Sequence, residues 1–235
     1  MAAGFAGFPP ETLKFLRQLK RNNNREWFLA HKQIYEEKVK GPMVDLVIAL
    51  GGAMQSFGPE MIVDPKKAIY RIYRDIRFSA DKSPYKTHIA AVFVPRGIPK
   101  NSAAVLYFHL SPEEALIAGG VYMPGSAELR AIRQYIAGHW EELQAILKDR
   151  AFKKMFGGLW GEQLSRPPRG FLPDHPAIDL LRNKQYLVSV TETPAFAESG
   201  GLFPRLLTCF AAMMPLIRFL NAPLRFREGL SPLRA

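Results

Sequence analysis

Residues 71–88 carry the densest group of side chains in this chain that could bind a ligand or take part in a reaction. The stretch holds three arginines, two lysines, two aspartates and two tyrosines, and it runs from a strand-like segment into a turn. Arginine presents a planar fork of donors that matches the oxygens of phosphate and carboxylate groups. We therefore interpret the stretch as a prepared site for an anion. The pattern specifies no reaction.

One face of the predicted strand at residues 68–78 is apolar except for a single arginine. Because alternate residues of a strand point to opposite faces, Arg74 shares its face with Ile72, Ile76 and Phe78. A guanidinium keeps its charge among apolar neighbours and needs a partner there. We therefore predict that Arg74 points away from Arg71 and Arg77 and pairs with a buried carboxylate.

The opposite face of this strand, and the turn after it, supply the remaining members of the predicted site. Asp75 lies between Arg71 and Arg77 and could hold both guanidinium groups by bidentate hydrogen bonds. Asp81 suits the start of a turn, and Pro84 presets one backbone angle. The predicted ligand-binding residues are Arg71, Arg74, Asp75, Arg77, Asp81, Lys82, Tyr85 and Lys86. An aspartate among them could orient the cations or act as a general base, and the tyrosine could donate a proton.

Several short sequence motifs are spread over nearly the whole chain, and the same block is the most specific of them. The others lie at residues 22–28, 119–122, 169–171 and 174–176, with Tyr35, Pro42 and Arg133 between them. In these pieces the chain resembles an uncharacterised family of bacteria and fungi known as domain of unknown function 2461. Ala118 stands where the family pattern has a third glycine, and Arg169 stands where it has lysine. The resemblance implies a shared fold and a shared site around the block, and it implies no activity.

The elements that position these residues follow the order helices, strands, helices, which is typical of α+β proteins. Capping and spacing predict helices beginning near Glu11, Asn24 and Ser126, with Asn23 and Ser126 as caps. Short links between strands predict a mainly antiparallel sheet of about five strands, flanked by N-terminal and C-terminal helices. The predicted strands are residues 68–78, 87–94, 103–110, 116–121 and 185–190. Residues 202–220 favour a final helix, bent at Pro215.

Composition predicts a protein with a proper core and a preference for anionic partners. Hydrophobic residues make up 48% of the chain, and the formal net charge is +11. We expect one α+β domain over residues 1–220 and a basic, loosely held tail at residues 221–235. A single cysteine, Cys209, and the lack of a secretory signal or a membrane-length apolar run predict a cytoplasmic protein. The sequence leaves the oligomeric state open.

Motifs for metals, cofactors and covalent catalysis are absent from the sequence. The five histidines are dispersed and show no ligand spacing, so we predict no metal site, although His88 and His109 could meet from adjacent strands. No phosphate-binding loop or dinucleotide fingerprint occurs, and we predict no cofactor. Ser79 and Lys82 match a Ser-x-x-Lys pattern without the companion motifs that such enzymes need.

Three interpretations of the basic block are open at this point. The favoured one is a site for a small anionic ligand bearing phosphate or carboxylate. The second is a nucleic-acid-binding module, because Tyr70, Tyr73 and Tyr85 interleave with the basic residues, but no known reader motif is present. The third is a structural network of internal ion pairs. Whether the protein is an enzyme is also open.

Overall fold

The computed structural model describes residues 4–77 and 79–225, and over these residues the protein is α+β, as predicted. The helices are α1 (Pro10–Arg21), α2 (Arg25–Ala30), α3 (Lys32–Tyr35), α4 (Gly41–Ala53), α5 (Pro65–Ala68), α6 (Ser126–Gly138), α7 (Trp140–Lys148), α8 (Arg150–Phe156), α9 (Ile178–Leu181) and α10 (Leu202–Arg225). A π-helical turn at Glu36–Lys40 joins α3 to α4, and 3-10 turns lie at Met54–Ser56 and Pro194–Glu198. The helices predicted near Glu11, Asn24 and Ser126 are confirmed.

Five strands form one antiparallel sheet, in agreement with the prediction. The strands are β1 (Met61–Ile62), β2 (Ile89–Pro95), β3 (Val105–Leu110), β4 (Ala115–Val121) and β5 (Tyr186–Glu192), and they lie side by side in sequence order. Along β3, Leu106, Phe108 and Leu110 are buried while Tyr107 and His109 are half-buried. The pleat therefore places these two polar side chains together on the other face of the sheet.

The predicted strand at residues 68–78 is wrong, although its neighbour across the turn is a strand as expected. α5 ends at Ala68, and the residues after it meet residues 84–91 through two isolated antiparallel bridges, Ile69 to Ala91 and Tyr73 to Tyr85. Pro84 has no N–H to donate to a regular ladder, and aspartate side chains bind backbone N–H groups on both sides of the turn. The pairing is therefore irregular. Phe78 lies outside the described residues.

The chain divides into two compact units. Unit 1 comprises Met1–Phe93, Tyr107–Ile117 and Thr191–Cys209, and unit 2 comprises Val94–Leu106, Ala118–Val190 and Phe210–Ala235. The core of unit 1 contains Leu16, Leu19, Phe28, Met43 and Leu46, and that of unit 2 contains Leu106, Ile132, Ile136, Leu143 and Met213. The single domain expected over residues 1–220 stays a prediction.

Two predictions about the helices of unit 2 are wrong. Gly125, not Ser126, precedes α6, and no side chain caps this helix. The apolar spacing from Leu129 to Leu147 predicts one continuous helix, but the helix is interrupted at His139, which joins α6 to α7.

The last helix extends further than predicted. Residues 221–225, which the sequence assigns to the tail, are helical. Asn221 is buried, and its amide donates to the carbonyl of Ala104 at 2.9 Å and accepts from the N–H of Ala104 at 2.8 Å. These two bonds fix the end of α10. The remainder of the predicted tail, residues 226–235, lies outside the described residues.

By length and composition alone, α10 could cross a membrane. The core helices of globular proteins meet the same criteria, and half of the apolar window of α10 is buried within the protein. Leu206, Phe210, Met213 and Leu220 are among its fully buried residues. We therefore describe α10 as a core helix. The cytoplasmic location stays a prediction.

Strands β4 and β5 approach each other unusually closely at Gly120. This residue has φ of +124°, a conformation that side chains with a Cβ rarely adopt. A Cβ built at this position would lie 1.9 Å from the carbonyl oxygen of Tyr186. Gly120 thus permits the close approach of the β5 backbone.

We predict that Gly120→Ala destabilises the protein by about 1–3 kcal/mol through backbone strain alone, with the clash against Tyr186 adding to it. The midpoint of urea unfolding measures the effect. Gly138→Ala is the control, because no atom lies within 4 Å of the place that its new methyl group would take at the end of α6. That variant should match the wild type or gain up to about 1 kcal/mol. Equal midpoints for the two variants would contradict the assigned close approach.

Candidate functional site

The irregular pairing of residues 69–74 with residues 84–91 builds the backbone of the candidate site. Tyr70 N–H donates to the carbonyl of Ala90 at 2.9 Å, and Lys86 N–H donates to the carbonyl of Ile72 at 2.8 Å. A further bond, from Arg74 N–H to the carbonyl of Pro84, measures 2.9 Å. Backbone hydrogen bonds therefore fix the positions of the cationic side chains near the turn.

Arg74 pairs with Asp81 across the turn. One guanidinium nitrogen donates to the Asp81 carboxylate, and the other donates to Ser79 Oγ at 3.3 Å. The prediction that Arg74 pairs with a buried carboxylate is wrong, because the Asp81 side chain is 60% exposed and that of Arg74 is 25% exposed. An ion pair of this kind contributes little to stability, so the large destabilisation expected for loss of a buried pair does not apply.

Asp81 also organises the turn itself. Its carboxylate accepts from Ser83 Oγ at 2.6 Å and from Ser83 N–H at 2.9 Å. These bonds, followed by the bond from Arg74, hold the pKa of Asp81 well below its usual range. The carboxylate is therefore charged at neutral pH and occupied with structural partners, which makes it a poor general base.

Asp75 binds one guanidinium, not two. Arg77 Nε donates to Asp75 Oδ1 at 3.0 Å, and Arg77 Nη2 donates to Oδ2 at 2.7 Å. These hydrogen bonds lower the pKa of Asp75 to about 2, and Arg71 contributes to that shift only through its charge. The expectation that Asp75 holds both Arg71 and Arg77 is therefore corrected for the described residues.

The predicted residues do not converge on one concavity. One cavity of about 370 Å³, which we call the basic cavity, is lined by Lys20, Asn23, Arg74, Asp81, Ser83, Tyr85, Lys86, Thr87 and His88. Four of the eight predicted residues belong to it. Arg71 lines a second cavity instead, while Asp75, Arg77 and Lys82 line neither of the two. Lys82 Nζ donates to the carbonyl of Ile76 at 3.0 Å within the turn.

Lys86 is the cation of the basic cavity that has no carboxylate partner among the described residues. Its Nζ donates to the carbonyl of Arg71 at 3.0 Å and lies 5.0 Å from the centre of the Tyr70 ring. Burial, and then the charge of Arg71, lower the pKa of Lys86. The ammonium is thus held in place and only partly compensated.

The rings of His88 and His109 lie close together, which is the possibility that the sequence left open. Their ring centres lie 5.3 Å apart. His109 Nε2 is 3.3 Å from a Glu114 oxygen, and its Nδ1 is 3.1 Å from the hydroxyl of Tyr107. Burial, followed by the charges of His109 and Lys86, lowers the pKa of His88 to about 4, so His88 is neutral at physiological pH. Among the described residues, no group of three or more histidine, cysteine or carboxylate side chains could hold a metal ion.

Tyr85 anchors the site instead of supplying a reactive hydroxyl. It is 3% exposed, and its ring stacks on Phe28 with centres 4.1 Å apart. Burial raises the pKa of its phenol further above the physiological range. Its backbone is held by Asn23, whose amide donates to the carbonyl of Tyr85 at 2.9 Å and accepts from its N–H at 3.1 Å.

Sequence reasoning missed five residues of the basic cavity, Lys20, Asn23, Ser83, Thr87 and His88. Asn23 was predicted to cap α2, but Asn24 is the cap and accepts from Trp27 N–H at 2.9 Å. Three successive asparagines are equivalent by residue type, so only the fold distinguishes their roles. Lys20 lies in the last turn of α1, and nothing in the residue spacing of this helix indicates that it lines a cavity.

The fold and these cavities define an α+β protein with a preformed basic site beside an irregular turn. Residues 11–219 match the model of a family described as conserved hypothetical protein (DUF2461). Because the match covers most of the chain, the protein belongs to this family, as the resemblance of its motifs indicated. A comparison with curated proteins found no match to the chain.

We predict that Asn23→Ala destabilises the protein by about 1–3 kcal/mol, because it leaves the N–H and carbonyl of Tyr85 without their partner. The midpoint of chemical unfolding provides the measurement. Asn22→Ala is the matched control, since the side chain of Asn22 makes one exposed hydrogen bond, from Nδ2 to the carbonyl of Gln18 at 3.0 Å. This control should stay within about 0.5 kcal/mol of the wild type. Similar losses in both variants would argue against the anchoring role of Asn23.

Proposed function

We propose that the protein binds a small anion bearing phosphate or carboxylate oxygens in the basic cavity. One observation carries this proposal. The half-buried ammonium of Lys86 lines the cavity and has no carboxylate partner among the described residues. Partly buried charges are normally paired. A ligand oxygen would supply the missing negative charge.

The charges around the cavity support an anionic occupant. Lys20, Arg74 and Lys86 line it together with a single carboxylate, that of Asp81. Lys20 binds Glu113 and Arg74 binds Asp81, which leaves Lys86 as the excess positive charge. Binding an anion would oppose the burial and the repulsion from Arg71 that lower the pKa of Lys86. The same anion would meet His88, whose neutral ring can donate a hydrogen bond without adding charge.

The shape of the site favours a small ligand over a polynucleotide. A cavity of about 370 Å³ falls within the size range of small-molecule sites. A backbone-tracking groove for nucleic acid would instead present cations along an open stripe. The ion pairs of Arg74 and Arg77 restrain two cations of the turn, so fewer charges remain for such a stripe.

The expected result is a rise in thermal melting midpoint in phosphate, sulfate or citrate relative to chloride at equal ionic strength. Ligand at a hundredfold excess over its dissociation constant stabilises the native state by about 2.7 kcal/mol. In a domain of this size, each kcal/mol corresponds to about 2–4 °C. Lys86→Gln should reduce the rise to half or less, because it removes the unpaired ammonium.

Lys82→Gln is the matched control for this experiment. It also removes one lysine charge and one hydrogen bond to a backbone carbonyl, but Lys82 does not line the basic cavity. The control should respond to anions like the wild type. If no anion raises the midpoint above chloride, or if both glutamine variants respond alike, the basic cavity is not the binding site and the structural interpretation replaces it.

A further inference from the structure

A second cavity of about 600 Å³ in unit 1 differs from the basic cavity in being walled by aromatic rings. We call it the tyrosine cavity. Four rings line it, those of Phe28, Tyr35, Tyr70 and Tyr73. This volume is large enough for a ligand with a ring system, since small-molecule sites span about 300–1,000 Å³.

Tyr73 offers an exposed ring surface at this cavity. Its ring contacts Phe28 at 6.3 Å in an edge-to-face arrangement and Tyr85 at 5.5 Å in a tilted one, measured between ring centres. The residue is nevertheless 51% exposed. About half of the residue is therefore open, and a planar ligand could stack on the exposed ring surface.

Tyr35 places a polar group at the wall of the tyrosine cavity. The residue is only 5% exposed, but its hydroxyl is not among the fully buried polar atoms of the described residues that lack a partner. Since Tyr35 lines the tyrosine cavity, a polar atom of a bound ligand could bond to this hydroxyl.

The rim of the tyrosine cavity is cationic. Lys32, Lys40, Lys66 and Arg71 line it, together with the carboxylates of Glu36 and Asp64. Both carboxylates are engaged, because Glu36 pairs with Lys40 at 2.7 Å and Asp64 accepts from Lys66 N–H at 3.0 Å to cap α5. The charged groups of Lys32, Lys66 and Arg71 have no carboxylate partner among the described residues and are available to an anion.

We propose that the tyrosine cavity binds a mononucleotide unit, a planar base joined through a sugar to a phosphate. The base stacks on Tyr73, a polar group of the ligand bonds to the hydroxyl of Tyr35, and the phosphate contacts Arg71 and Lys66. A ligand with only a ring or only a phosphate would leave one of these groups unused. The unit could come from a free nucleotide or from a single-stranded nucleic acid, which share this chemistry.

Isothermal titration with ribonucleoside monophosphates, the matching nucleosides, inorganic phosphate and a ten-nucleotide single strand tests the proposal. We expect monophosphates to bind at least tenfold tighter than nucleosides or phosphate. Tyr73→Ala should weaken monophosphate binding about tenfold, while Tyr73→Phe should retain it because the stacking surface remains. Tyr35→Phe and Arg71→Gln should each weaken it severalfold.

Two control variants make these effects specific. Tyr122→Ala removes a comparably exposed tyrosine, 61% exposed and in unit 2, and should leave nucleotide binding unchanged. Arg150→Gln removes an exposed arginine of unit 2 that lines neither cavity and should also leave nucleotide binding unchanged. Melting midpoints near the wild-type value would show that each variant is folded. The two sites are tested separately, so one proposal can fail while the other holds.

The titrations have outcomes that support the proposal and outcomes that overturn it. Tighter binding of the single strand than of the monophosphates, with the same loss in Tyr73→Ala, supports the site and identifies nucleic acid as its source. Equal affinity for phosphate and for monophosphates overturns the proposal. So does monophosphate binding that Tyr73→Ala does not weaken, or the lack of any nucleotide binding at millimolar concentration.

Discussion

The backbone pairing of residues 69–74 with residues 84–91 is the constraint on which both cavities depend. It places Arg74 and Lys86 at the basic cavity, and Arg71 and Tyr73 at the tyrosine cavity. Because this pairing is irregular, neighbouring side chains do not simply alternate between two faces as they would along a regular strand. One short segment thus contributes residues to two concavities.

Two fixed points outside the segment hold this pairing in register. Asn23 binds both backbone groups of Tyr85 and so ties the start of α2 to the segment. The ring of Tyr85 is buried against Phe28, which is also buried and belongs to α2. Polar and aromatic contacts therefore act at the same residue, one on its main chain and one on its side chain. Together they restrain Tyr85, the residue that follows Pro84 at the end of the turn.

The sequence predicted the fold class and the sheet because these depend on local signals. Short links between apolar segments favour antiparallel neighbours, and β2 to β5 lie within or close to the predicted ranges. The segment at residues 68–78 was predicted incorrectly because hydrogen bonds from nearby N–H groups to Asp75 and Asp81 compete with strand pairing. Residue type allows such bonds in many geometries, so their presence is decided by the fold.

The composition of the candidate site was predictable only in part, for a related reason. The high density of charged residues identified residues 71–88 as the candidate site, and half of the predicted residues line the basic cavity. Which cations meet which carboxylates depends on side-chain direction, which the irregular backbone changes residue by residue. The approach of His88 to His109 depends on the register between β3 and the residues that precede β2. No spacing along the chain encodes that register.

The pairing of charges separates the structural interpretation of the block from the ligand-binding one. A purely structural network would give each cation a carboxylate, as Asp75 does for Arg77 and Asp81 does for Arg74. Lys86 and Arg71 depart from that arrangement among the described residues, and the Lys86 ammonium is bound to the carbonyl of Arg71. A carbonyl dipole and a ring face compensate a half-buried ammonium less completely than a carboxylate does. Lys86 and Arg71 thus keep positive charge without a carboxylate partner among the described residues, which a purely structural network does not explain and the proposed anion site does.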